Sequence, residues 1–233
     1  MSNLLREMDM KMHPIHGGKL SEADVLIFPE IEAEFQAKLS GQKSGADLVQ
    51  EIYDCIDEIN RDYYNSHSLA CHRGCGFCCR QLICCTALEM ELIVKFIRSR
   101  PRAIGRVLMK QMKKEALWLN RQMISASGKF AISCGQQLQF FARIYQGRVC
   151  PFLSQEQVCL IYPARPIDCR IAKADHPCSE GVSKKDSLGI RLIADQVASN
   201  LIMDEDKRIN RKMQLSPLAN WAASPKFYRT FLG

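Results

Sequence analysis

The chain lacks any apolar run approaching the roughly 20 residues a membrane-crossing helix needs, so no spanning segment is expected and no membrane partner is assigned. Its first stretch, MSNLLREMDMKMHPIHGGK, mixes acid, base and histidine instead of the continuous apolar region of a secretory signal. The expected compartment is therefore cytoplasmic and reducing. No Ser-His-Asp set, paired-carboxylate motif, Walker loop or dinucleotide fingerprint occurs, which removes the commonest hydrolase, nucleotidase and dehydrogenase readings. There is also no RNP, zinc-finger helix or basic-zipper pattern, hence no clear nucleic-acid motif. Internal repeats and low-complexity tracts are missing too.

What remains is a chain of 233 residues, enough for one sizeable core, with an ordinary 47% hydrophobic and 24% charged content. The formal net charge of +7 permits contact with anionic partners. The Lys and Arg are read as spread along the chain, with only short runs at Lys110–Lys114 and Lys207–Lys212, and those as solvated helix faces. Twelve cysteines are the unusual feature. In a secreted domain they would pair as disulfides, whereas clustered in the cytosol they point to metal or redox chemistry.

Hydrophobic spacing predicts a mainly α-helical fold. Residues 1–20 show no stable period and are expected to be mobile. Residues 21–233 are expected to form a single domain, with a cysteine-cluster core over 71–178 and a C-terminal helical extension over 181–233. Two helical segments follow the N-terminus. In the second, Ser44–His67, Val49, Ile52, Tyr53, Ile56 and Ile59 recur at helical spacing. A Gly- and Cys-rich loop, Cys71–Cys79, interrupts the pattern.

Thr86 with Glu89 has the form of a capping box, opening a helix faced by Leu88, Leu92, Ile93, Phe96 and Ile97. Pro101 ends that helix or starts the next, which runs to about Met123, with a turn expected at Ser125–Lys129. Cys134, Leu138, Phe141 and Tyr145 suggest a further helix. Val149–Tyr162, around the polar turn Ser154-Gln155-Glu156-Gln157, suits a small hairpin. A last helix is expected at Leu188–Met203, with Ile190, Ile193, Val197 and Leu201 inward. In the tail, Trp221, Phe227, Tyr228 and Phe231 are available to dock.

Two groups of cysteines carry the chemistry. The first is Cys71-His-Arg-Gly-Cys75-Gly-Phe-Cys78-Cys79, four thiols in nine residues. Gly74 and Gly76 let the backbone turn sharply enough for the thiols to converge, as ligation at about 2.3 Å requires. The second group is Cys150, Cys159, Cys169 and Cys178, at near-regular spacing in short, Pro-constrained loops. One zinc takes four thiolates and so does one [4Fe–4S] cluster, so one site and two sites both remain open. Adjacent Cys78 and Cys79 could serve different metals, or one of them could be structural.

Cys55 and Cys134 lie on apolar stripes and are expected in the core. Cys84 and Cys85 are expected in a buried strand or turn, with a reserve-ligand role as the rival reading. His72 and His176 are expected beside the ligands or exposed, and His13 and His16 outside the site. The methionines, Met109, Met112 and Met123 among them, are read as core filler or surface.

CHRGCGFCCR at Cys71–Arg80, followed by CPFLSQEQVCLIYPARPIDCR at Cys150–Arg170, resembles the YkgJ-type cysteine-cluster family, also called the CxxCxxCC or putative zinc- or iron-chelating domain. The resemblance covers roughly residues 71–178. The first block reads C-x3-C-x2-C-C in place of the strict C-x2-C-x2-C-C. What the resemblance implies is metal binding, without one agreed reaction. The sequence favours iron, held as an iron–sulfur cluster, over zinc, in a structural, redox or sensing role. The rivals are a metal-dependent modifying enzyme, similar to the flagellin lysine N-methylase branch, and a metal-trafficking protein. No clear S-adenosylmethionine motif accompanies the cysteines, and the sequence names neither a substrate nor a protein partner. A thiolate site is negatively charged, so Arg80 and Arg170, each directly after a cysteine, are expected to offset it, with Arg170 the stronger candidate. Arg165 and Tyr162 are expected to brace the second block.

Overall fold

A computed structural model describes residues 22–59, 61, 65, 72, 74–127, 142–145, 147–172, 192–211 and 215–223. These residues are mainly helical, with one two-stranded antiparallel pair. Helix α1 spans Glu22–Lys38 and α2 spans Ala46–Ile59. A 3-10 turn at Cys78–Arg80 leads to strand β1, Cys84–Thr86, and directly into α3, Ala87–Arg98. Helix α4 spans Arg102–Ser127, α5 is the short Ile167–Ile171 and α6 spans Ile193–Asn210. Strand β2, Leu215–Pro217, runs into α7, Leu218–Ala223.

The capping box sets the start of α3. The Glu89 backbone N–H donates to Thr86 Oγ1 at 3.2 Å, and the Thr86 N–H donates to Glu89 Oε2 at 2.7 Å. Two of the four amide groups that a helix N-terminus leaves unpaired are thereby satisfied. The Leu88 N–H donates at 3.2 Å to Asp206 Oδ1 on α6. Helix α3 is apolar on nearly every side, with Leu88, Met90, Leu92, Ile93, Val94 and Ile97 all buried. A helix of that kind belongs in the middle, and α3 indeed contacts α2, α4, α6 and α7.

Val49, Ile52, Tyr53 and Ile56 of α2 form the expected inward stripe, joined by Cys55. Leu108, Met112, Ala116 and Leu119 do the same for α4, which packs on α7. Gly105 lets α4 come close to α3, since a Cβ there would stand 3.2 Å from the Ile97 carbonyl oxygen. Trp221 docks as expected, buried, with its indole N–H donating to the Cys85 carbonyl at 2.9 Å.

Some boundaries differ from the sequence reading. Of the turn expected at Ser125–Lys129, Ser125–Ser127 are helical, because α4 runs on through Ser127, and residues 128–129 lie outside the described residues. The last helix begins at Ile193 and continues to Asn210 instead of ending at Met203. Its start is set by the Asp195 carboxylate, which accepts the Leu192 N–H at 3.0 Å. Its inward face is Ala194, Val197, Ala198 and Ile202, with Ile193 and Leu201 at the margin. The hairpin expected at Val149–Tyr162 is only a single antiparallel bridge, Leu153 to Cys159. The regular strand pair forms instead between β1 and β2, with Cys85 opposite Ser216. The helix expected around Cys134–Tyr145 lies mostly outside the described residues, as do residues 1–20, Ile190, Phe227, Tyr228 and Phe231.

Candidate functional site

The first cysteine block enters through a glycine-hinged turn. Gly74 has φ +95° and Gly76 has φ +57°, conformations that side-chain-bearing residues seldom adopt. Gly76 is constrained a second time, because a Cβ there would lie 2.5 Å from Gln157 Oε1 on the second block. The Cys75 N–H donates to the His72 carbonyl at 3.1 Å, and Cys78 and Cys79 then sit in the 3-10 turn.

The second block folds back onto this turn. The Cys150 N–H donates to the Cys79 carbonyl at 2.7 Å and joins the two blocks directly. Beyond it the chain reverses around Ser154–Gln157. The Ser154 N–H donates to the Val158 carbonyl at 2.9 Å, and the Val158 N–H donates to Ser154 Oγ at 3.2 Å. This reversal returns Cys159 towards Cys150. A second 3-10 turn, Tyr162–Ala164, and then α5 carry the chain to Cys169.

Helix α5 has five residues and is held by its surroundings. Arg170 is its anchor. Its guanidinium stacks 4.0 Å over the Tyr53 ring and donates to the Pro163 carbonyl at 2.7 Å, the Arg165 carbonyl at 3.3 Å and Asp57 Oδ2 at 2.8 Å. Tyr53 in turn donates its hydroxyl proton to Glu89 Oε1 at 2.7 Å, and the same oxygen accepts the Ile167 N–H at 2.7 Å. Asp168 accepts the Cys84 N–H at 3.0 Å. The buried Glu89 therefore links α2, α3 and the start of α5, and fixes where Cys169 emerges.

Electrostatics tie the thiols of Cys78, Cys79, Cys150, Cys159 and Cys169 together. Cys78 is held down to about 7 by the Cys79 thiol that donates to it, helped by the Arg165 charge and by the Cys78 and Cys79 amides, against the effect of burial. Cys79 is pushed far up for the matching reason, then by burial and by the charges of Cys78, Cys150 and Cys169. Burial pushes Cys150 up to about 12, the Phe152 N–H opposes it, and Cys159 and Cys78 add to it. Burial raises Cys159, against the Ile161 N–H and the Arg165 charge. Cys169 is raised well above the ordinary thiol range by burial, then by Cys150, Cys78 and Cys159.

Five predicted ligands from three stretches of chain thus lie within reach of one another's charge. All nine described cysteines are free thiols. Cys75 lies partly exposed in the same turn as Cys78, and Cys71 and Cys178 fall outside the described residues. Among the described residues no group of three or more His, Cys, Asp or Glu side chains is drawn together as a metal-binding set. Cys55, Cys84 and Cys85 are buried, Cys84 and Cys85 in β1, which matches their expected packing roles. His72 is exposed, while His13, His16 and His176 lie outside the described residues.

The arginine assignment is extended. Arg170 lowers Cys159 as expected and, through Asp57, two carbonyls and the Tyr53 ring, also braces the block. Arg165 is the cation that lowers both Cys78 and Cys159. Its guanidinium lies 4.0 Å over the Tyr162 ring, and its Nε is buried with no hydrogen-bond partner. Sequence reasoning missed Glu89 and Asp168 as organisers of the second block. In the sequence Glu89 reads only as part of a cap. No family model, no curated protein and no solved structure matches this chain.

Proposed function

We propose that this chain is a metal-binding protein of the YkgJ type, holding iron, as an iron–sulfur cluster, through cysteine thiolates from both blocks. The observation that supports the reading is the mutual electrostatic influence of Cys78, Cys79, Cys150, Cys159 and Cys169, five free thiols from both blocks. Buried thiols are common, but most are isolated among apolar neighbours. Here, Cys78 apart, the thiols raise the cost of ionising one another, and a bound cation removes that cost.

The donor set fits the group. Soft thiolates suit iron–sulfur clusters and zinc, and Arg165 supplies a compensating charge with a spare N–H. The remaining ligand candidates are Cys75 and, outside the described residues, Cys71 and Cys178. Bound iron–sulfur would supply one-electron chemistry or a structural staple. The polypeptide supplies partly buried thiols and a hydrogen-bonded frame from Glu89 to Arg170.

Anaerobic reconstitution with ferrous iron and sulfide tests the proposal. A brown protein with visible charge-transfer absorption and matched iron and sulfide is expected. Stoichiometric zinc in the colourless protein, with no uptake of iron, would replace the cluster by a zinc site. Uptake of neither metal would refute the reading.

A further inference from the structure

The chain's positive charge is segregated. Eight of its 32 Lys and Arg, and only one of its 25 Asp and Glu, fall within residues 98–127, a net charge of +7. The other 24 cations and 24 anions cancel. Arg98, Arg100, Arg102, Arg106, Lys110, Lys113, Lys114 and Arg121 are all exposed, along α4 and the turn before it. The one acid, Glu115, is engaged by Arg148 through two bonds of 2.7 and 3.0 Å.

The core-facing stripe of α4, Leu108, Met112, Ala116 and Leu119, turns the basic side outward. Three aliphatic side chains stand among these cations. Ile104 is 48% exposed, Val107 55% and Leu117 52%. Linear sequence hides this arrangement, because the cations alternate with the residues of the buried stripe.

We propose that the outward face of α4 docks on an anionic lipid bilayer. Charge complementarity calls for a dense anionic surface, since a neutral remainder leaves the molecule strongly polarised towards this helix. The aliphatic side chains choose between such surfaces. Val107, Leu117 and Ile104 gain by entering the headgroup boundary, whereas phosphates of a nucleic acid offer them nothing. No aromatic residue among those described is exposed on this face for base stacking, and Trp118 lies 3.6 Å beneath the Arg148 guanidinium. No helix among the described residues is long and apolar enough to cross a membrane, so the contact is a surface one. The face carries none of the proposed metal ligands.

Co-sedimentation of the full chain with vesicles tests this, using phosphatidylcholine alone and phosphatidylcholine mixed with phosphatidylglycerol, with a DNA duplex in parallel. Binding to the anionic vesicles only is expected. Lys110→Glu and Lys114→Glu should each weaken it by roughly fivefold or more. Val107→Ser with Leu117→Ser should weaken vesicle binding severalfold. Circular dichroism is expected to show all these surface variants folded. Failure of the unmodified chain to bind anionic vesicles overturns the proposal, as does binding that survives charge reversal. Duplex binding tighter than vesicle binding, indifferent to the aliphatic substitutions, would assign the face to nucleic acid instead.

Discussion

The Cys150 backbone N–H donates to the Cys79 carbonyl at 2.7 Å, so the last cysteine of the first block and the first cysteine of the second share a hydrogen bond. Two segments far apart in sequence are held edge to edge there by the backbone itself. The Cys79 and Cys150 thiols lie within reach of each other's charge.

Serine substitutions should separate ligands from packing cysteines. Cys150→Ser and Cys169→Ser are expected to lose at least half of the bound metal, measured by elemental analysis after anaerobic purification. Cys85→Ser places a hydroxyl at a fully buried position. It should cost about 1–3 kcal/mol of stability while metal content stays unchanged. Equal metal loss in all three variants would remove the distinction drawn between the two kinds of cysteine.

Arg170 is 5% exposed in its side chain, whereas its partner Asp57 is 57% exposed. The Arg170–Asp57 pair is thus screened, and Asp57→Asn should cost less than about 1 kcal/mol. Arg170→Met leaves the Pro163 and Arg165 carbonyls without their donor and should cost about 2–4 kcal/mol. Denaturant midpoints at unchanged m-value report both, and comparable losses would show that the ion pair, not the carbonyl bonds, holds α5.

The buried Glu89 gives stability a pH dependence of definite sign. Burial raises its pKa above the ordinary carboxylate value, and the Ile167 and Thr86 amides and the Tyr53 hydroxyl only partly offset this. Between the unfolded and folded values the native state holds more protons. Glu89 therefore contributes a loss of stability as pH rises through that window, and a constant penalty above it. Tyr53→Phe removes a bond to the charged form, widens the window and should cost about 1–2 kcal/mol at neutral pH. Denaturation at several pH values checks this, and a Tyr53→Phe slope shallower than that of the unmodified chain would contradict it.

The two loop glycines should respond unequally. A Cβ at Gly74 meets nothing within 4 Å, so Gly74→Ala bears only the cost of its positive φ, about 1 kcal/mol. Gly76→Ala adds a contact with Gln157. It should cost more, and Gln157→Ala in the same chain should recover part of the difference. Thermal melts of the metal-free protein compare them, and equal costs would mean that the Gly76–Gln157 approach has no energetic consequence.

Much of this frame is legible in the residues themselves. Thr86 and Glu89 announce the start of α3, because a cap is a local device. The stripes of α2 and α4 follow from periodicity, and Cys55, Cys84 and Cys85 from their apolar neighbours. The second role of Glu89 is not local: nothing in sequence says that Tyr53 and Ile167 will bring their donors to one carboxylate. Adjacency told only part of the story for Arg170. Arg170 lowers Cys159 as its place in the chain suggests, but its stacking on Tyr53 and its bonds to two carbonyls are not legible there, and Arg165, four residues upstream of Cys169, acts on both Cys78 and Cys159. The basic face of α4 was written in the chain as well, but a period of 3.6 scatters it among buried residues.

X-ray absorption at the metal edge of the anaerobically purified protein tests the thiolate site most directly. Sulfur scatterers at about 2.3 Å around stoichiometric iron or zinc are predicted, and a short iron–iron distance as well for a cluster. Protein without metal, or metal surrounded only by nitrogen and oxygen, would contradict the account.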